Sequence, residues 1–244
     1  MFGLFTIWAG LFALLASVAE PTVPEVGPAP ELELEQTVYL RNYYLFTEGR
    51  ESMGASASLI ALNDGVYALT AKHLLGEAMG ITPEVRPSDL EKALLNWSFY
   101  TNEGFYGDTA PVAQASGVHR PMDESGGDIL VLSVDAIEEA GVLSVSPHRA
   151  GIGDHVYLVG CTYAEGAACS QNIYAGSIVS RLPDLINGGQ LILFELEGGA
   201  IELSGFSGAP VLNENSEVVA VLVSSYDGLA VAAVLPDWMR EAAS

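Results

Sequence analysis

Positive charge is scarce in this sequence. Nine Lys and Arg stand against 31 Asp and Glu in 244 residues, a formal net charge of −22. Nucleic acid is gripped by a basic face, so it is excluded as a partner, as is electrostatic docking on anionic lipid. Cysteine is nearly absent, with only Cys161 and Cys169. Neither a C-x-x-C pair nor an H-E-x-x-H motif occurs, which argues against a metal site. P-loop and EF-hand patterns are missing too, and no cofactor is expected. Charged residues make up 16% and apolar residues 50%, with a mean hydropathy of +0.31. A chain of that balance buries a core. Twenty-six Gly and 12 Pro suit a turn-rich β protein better than a helical one.

Charge is missing altogether from residues 1–19, an apolar run ending in Ser17-Val18-Ala19. Its length fits a signal peptide or a span just long enough to cross a bilayer, and its small final residues fit cleavage before Glu20. The first basic residue is Arg41, so the usual positive start of a signal peptide is lacking. Cleaved signal and retained anchor both stay open. Residues 20–36, acidic and Pro-rich, read as an extended linker. The chain is therefore expected outside the cytoplasm, secreted or periplasmic, or tethered to a membrane if residues 1–19 are kept. In an oxidising compartment Cys161 and Cys169 would pair and staple the hairpin loop between them.

Helical periodicity is scarce. Short β-type runs separated by turn chemistry fill the remainder: Val38–Phe46, Ser56–Leu62, Val66–Thr70, Leu95–Tyr100, Ile129–Val134, His155–Gly160, Ile173–Ser180, Leu191–Leu196, Val211–Leu212, Val218–Val223 and Leu229–Val234. Ser88 and Glu91 stand at capping-box spacing for a short helix over Pro87–Leu94, and a terminal helix is expected from Pro236 to Ala243. The pattern predicts an all-β protein, a sandwich or barrels, with a break near Gly141–Gly153. Gly151-Ile152-Gly153 lacks the third glycine of a dinucleotide fingerprint and opens a strand, so it reads as a turn. His119, His148, His155, Trp97 and Trp238 read as surface, strand-edge or packing residues.

Three segments carry chemistry. Val66-Tyr67-Ala68-Leu69-Thr70-Ala71-Lys72-His73 is a β run ending in histidine. Asp128 opens the apolar run Ile129-Leu130-Val131-Leu132. Ser207 sits in Ser204-Gly205-Phe206-Ser207-Gly208-Ala209-Pro210, where glycines leave backbone N–H groups unobstructed. A serine hydroxyl needs a base to take its proton, and the imidazole that does so needs a carboxylate to orient it. The order His73, Asp128, Ser207, with a strand after the serine, departs from the Ser-acid-His order and strand-to-helix elbow of an α/β-hydrolase. Asp108, Asp123 and Asp135 are weaker candidates for the acid.

These segments resemble the chymotrypsin-like, trypsin-fold serine peptidases. Thr70-Ala71-Lys72-His73 is similar to that family's T-A-A-H block, Asp128-Ile129-Leu130-Val131-Leu132 to its D-I-A-L block, and Gly205-Phe206-Ser207-Gly208-Ala209-Pro210 to its serine block. The resemblance implies two six-stranded antiparallel β-barrels, over residues 37–145 and 146–244, with a short C-terminal helix. It implies His73 as base, Asp128 as orienting acid, Ser207 as nucleophile, and Gly205 and Ser207 as oxyanion-hole donors. Val223, Ser224 and Ser225 match the substrate-binding strand, and Ser224 the serine that supports the acid in many members. Ile201 falls at the base of the specificity pocket, which implies a neutral apolar preference, with Glu202 and Asp227 nearby. The simpler pattern, without cysteines beside His73, resembles bacterial trypsin-like peptidases, including HtrA/DegP-like and glutamyl-endopeptidase-like branches. Phe206 stands where zymogen members carry the Asp that pairs with a new N-terminal amine, so the oxyanion loop is expected to be ordered by packing. The expected activity is that of an exported serine endopeptidase acting on peptide or protein. The alternative is a non-catalytic trypsin-fold module that binds peptide or protein.

Overall fold

The computed structural model describes residues 27–107, 109–119, 127–135 and 140–243. The apolar leader, residues 20–26 of the linker, Asp108 and Asp123 lie outside them. Among the described residues no helix is long and apolar enough to cross a membrane.

Among the described residues thirteen strands occur, twelve of them in two six-stranded barrels. The first contains β1 (Leu40–Phe46), β2 (Glu51–Leu62), β3 (Gly65–Thr70), β4 (Leu94–Thr101), β5 (Ala113–Val118) and β6 (Leu130–Asp135), in the order β1-β4-β5-β6-β3-β2 and closed by pairing of β1 with β2. β7 (Val142–Ser144) adds to β2 in parallel. The second barrel contains β8 (His155–Gly160), β9 (Asn172–Pro183), β10 (Gln190–Leu196), β11 (Pro210–Leu212), β12 (Val218–Tyr226) and β13 (Leu229–Val234), closed in the order β10-β13-β12-β11-β8-β9.

The period of two along each strand decides which core a side chain joins. Tyr67 and Leu69 of β3 and Val131 of β6 face a layer between the barrels, while Ala68, Leu130 and Leu132 fill the first barrel. Tyr157 and Val159 of β8 join the same layer, and Val156 and Leu158 fill the second barrel. Strands buried on both faces read as unbroken apolar runs, which is why these were legible. β5 and β7 were not expected. β5 is Ala-Gln-Ala-Ser-Gly-Val, with a register shift between Ala115 and Gly117, so small and polar residues hide its alternation. β7 has only three residues, one of them buried.

The expected helix over Pro87–Leu94 is shorter and broken. A 3-10 turn spans Pro87–Asp89, α1 spans Leu90–Ala93, and Leu94 already begins β4. Neither start has a side-chain cap; Asp89 instead binds Arg86 and Lys92. A second one-turn helix, α2 (Asn102–Phe105), is capped by the Thr101 hydroxyl, which accepts from the Gly104 amide. The terminal helix is α3 (Asp237–Glu241). Met239 plugs the inter-barrel layer, and the Ala242 carbonyl accepts from Asn63 N–H at 2.7 Å. α3 thus follows the last strand of the second barrel and docks on the β2–β3 turn of the first.

Candidate active site

His73 lies in a 3-10 turn, Lys72–Leu75, at the end of β3. Asp128 stands at the mouth of β6, beside β3 in the first barrel. The sheet brings them together. His73 Nδ1 lies 2.6 Å from Asp128 Oδ2, and the His73 backbone N–H donates to Asp128 Oδ1 at 2.8 Å. Asp128 is only 6% exposed. With the carboxylate oxygen as acceptor, the hydrogen bond selects the His73 tautomer that donates from Nδ1. The β9–β10 turn closes over this pair: a Cβ on Gly127 would sit 3.2 Å from the Gly188 carbonyl.

The Ser207 turn is tied to the first barrel through Ser56. Ser56 N–H donates to Ser207 O at 2.7 Å, and the Ser56 carbonyl accepts from Thr70 Oγ1 at 2.6 Å, three residues before His73. Gly208 is obligatory here, with φ +91° and a would-be Cβ 1.9 Å from the Ser56 carbonyl oxygen. The Ser207 hydroxyl itself makes no hydrogen bond to His73 in this structure. The turn Leu203–Phe206 closes through Phe206 N–H to Leu203 O at 3.0 Å, with Gly205 at φ +88° in its third position, the signature of a type II turn. Among the described residues the Gly205 and Ser207 amides donate to nothing. Phe206 is fully buried in the second barrel core, edge-on to Tyr174.

Sequence reasoning missed what lies behind it. Arg41 is fully buried, and its Nε, Nη1 and Nη2 donate to Asn102 Oδ1, Gly205 O and Cys161 O at 2.9, 3.1 and 3.1 Å. Ser56 Oγ donates to the same Gly205 carbonyl at 2.7 Å. Tyr39 and Tyr163 present their rings 5.0 and 4.7 Å from the guanidinium carbon. Burial pushes the Tyr39 phenol up to about 12, against the pull of Arg41, so this tyrosine stays neutral. Cys161 and Cys169 are joined by a disulfide, and the loop it closes carries Tyr163. One signal was available: an arginine within an aromatic strand.

A cleft of 960 Å³ opens beside His73 and Asp128, walled by Leu182, Leu191, Leu193, Val223 and Val231, with Ser224 and Ser225 on its edge. The expected support of Asp128 by Ser224 is not made. The Ser224 hydroxyl donates to Ser225 O at 3.4 Å, because the register of β12 shifts between Leu222 and Ser224 and leaves this residue exposed. Ile201 is not on the cleft wall either; it packs against the core of the second barrel. Glu202 and Asp227 are exposed, and Asp135 is exposed at the far end of β6.

Two β-barrels, an Asp-bound histidine after β3 and a glycine-flanked serine turn tied to the neighbouring strand β2 define a trypsin-fold peptidase architecture. Residues 55–221 match the trypsin-like peptidase domain, and the chain belongs to that family. No curated protein matches it in sequence. Among solved structures, the active form of the Rv3671c protease from M. tuberculosis is similar at 14% identity and TM-score 0.57, covering 93% of this chain and 95% of that one. The HtrA-type protease AlgW is similar at 17% identity and TM-score 0.54, covering 84% of this chain and 58% of that one. The serine endoprotease from Yersinia pestis is similar at 17% identity and TM-score 0.50, covering 82% and 59%. At such identities the likeness is one of fold.

Proposed function

We propose that the chain is an exported serine endopeptidase, secreted or periplasmic, whose two halves, 37–145 and 146–244, meet at a catalytic seam. Ser207 Oγ attacks the scissile carbonyl carbon while His73 Nε2 takes its proton. His73 then returns that proton to the leaving amine, and water hydrolyses the acyl-enzyme by the same route. Asp128 holds the imidazole tautomer and stabilises the imidazolium. The amides of Gly205 and Ser207 bind the developing oxyanion. The hydrogen bond between His73 Nδ1 and Asp128 carries this reading, because it leaves the other ring nitrogen to accept the serine proton. A free enzyme often lacks its serine–histidine hydrogen bond until substrate closes the site. The apolar part of the cleft wall, Leu182, Leu193 and Val223 rather than Ile201, supports a preference for peptides with neutral apolar residues; Lys72, Glu77, Glu84 and Asp184 line the rest.

The test is labelling of the purified 20–244 chain with a fluorophosphonate probe. Covalent mass on Ser207, abolished by Ser207→Ala and by prior denaturation, is expected. A folded chain that binds peptide yet never takes the probe would show a binding module instead.

A further inference from the structure

Arg41 is a fully buried cation with no carboxylate partner among the described residues. Taking a charge out of water is costly unless every donor finds an acceptor. Here the acceptors are two backbone carbonyls and an amide oxygen, and two rings supply cation–π contact. One of those carbonyls belongs to Gly205. It is also the acceptor of Ser56 Oγ, while the N–H at the other end of the same peptide group, that of Phe206, is held by Leu203 O. The peptide between Gly205 and Phe206 is therefore pinned at both ends.

Both ends of that peptide being held, its plane is fixed, and with it the place of the Gly205 α-carbon and amide nitrogen relative to the first barrel. We propose that Arg41 and Ser56 are positioning residues that clamp the Gly205 carbonyl and so hold the Gly205 amide nitrogen in place beside the substrate oxyanion. The proposal rests on the reading of Gly205 and Ser207 as oxyanion donors. The clamp reaches from β1 and β2 of the first barrel to the nucleophile loop of the second, 164 and 149 residues away. It supplies an internal cation and hydroxyl where Phe206 offers no carboxylate for an amine. Arginine suits the task because its planar fork reaches three acceptors in different directions, whereas a lysine ammonium is a point charge on a flexible stem.

The test compares wild type, Arg41→Lys and Ser56→Ala by peptide hydrolysis and by ¹⁵N relaxation dispersion of the Gly205 and Phe206 amides. Removing a direct oxyanion donor costs about 10² to 10³ in kcat. Loosening one through its neighbour is expected to cost about 10-fold to 100-fold for Arg41→Lys and about 3-fold to 10-fold for Ser56→Ala. KM should stay within about twofold, and exchange broadening should appear at Gly205 in both variants. Unchanged kcat and sharp amides in both would overturn the clamp, as would a loss carried wholly by KM. If Arg41→Lys does not fold, Ser56→Ala decides by the same criteria. If the wild type proves inert to fluorophosphonate, the hydrolytic reading falls, and the relaxation measurement still decides whether Arg41 and Ser56 hold the turn.

Discussion

Every polar group of Ser56 is engaged at the seam. Its N–H donates to Ser207 O, its hydroxyl donates to Gly205 O, and its carbonyl accepts from Thr70 Oγ1 and Asn42 Nδ2. Nothing in the local sequence distinguishes Ser56 from Ser52 or Ser58 on the same strand. His73 and Asp128 were legible because each is a polar residue at the end of an apolar run, and Ser207 because glycines flank it. At this scale the proposed triad makes a graded prediction. Ser207→Ala and His73→Ala should each lower kcat by about 10⁴ to 10⁶, with a residual rate from binding and the oxyanion amides. Asp128→Asn should cost about 10⁴, because the amide allows the wrong tautomer of His73. Steady-state hydrolysis of a chromogenic peptide checks all three, and full activity in Ser207→Ala would remove that serine as nucleophile.

Among the elements, β2 does most to build the site, and it does so by being irregular. Gly54 and Ala55 take φ of +121° and +54°, and the register against β1 shifts between Arg41 and Asn42. Such a bulge releases a residue from the ladder, here Ala55, and Ser56 beside it directs its N–H and hydroxyl to the serine loop. The Ala55 N–H meanwhile donates to Tyr163 Oη at 3.0 Å. Tyr163 belongs to the 3-10 segment Tyr163–Ala168, enclosed by the disulfide between Cys161 and Cys169. The cysteine count announced that staple, but its purpose appears only where Tyr163 covers Gly205. Closing so short a loop restricts the unfolded chain by about 2 to 3 kcal/mol in the chain-entropy model. A Cys161→Ala, Cys169→Ala variant should show a urea unfolding free energy lower by that amount. An unchanged midpoint and slope would mean that the loop is held by its other contacts, including Asn102 Nδ2 to Gly166 O and Cys169 O.

The whole molecule is held by the apolar layer between its barrels and by α3, which crosses that seam. Asp237 on α3 accepts from Arg149, in the segment before β8, and from Arg240. Hydrogen bonds from these two guanidiniums hold the Asp237 carboxyl well below the usual carboxylate range. A folded-state value lower than the unfolded one means that the unfolded chain binds more protons as the medium turns acid. The contribution to stability is therefore complete above the ordinary carboxylate value of about 3.9 and disappears as pH falls toward the folded one. Wild type should exceed Asp237→Asn in urea midpoint at pH 7, and the difference should close below about pH 4. A difference that stayed constant down to pH 2 would separate the effect of the substitution from ionisation of Asp237.

Sequence alone determined most of the strands and the disulfide pair, and it singled out the three segments of the proposed triad, because apolar runs, end-of-run polar residues and glycine spacing are local patterns. It also predicted that no ion pair could order the loop beside Phe206, since phenylalanine cannot accept one. Tertiary structure decided which groups hold that loop instead. It turned Ser224 away from Asp128, took Ile201 off the cleft wall, and buried Arg41 against carbonyls contributed by the second barrel. These outcomes depend on a bulge, a register shift and the approach of two barrels. Each joins residues more than a hundred positions apart or turns on backbone geometry that no short stretch of sequence encodes.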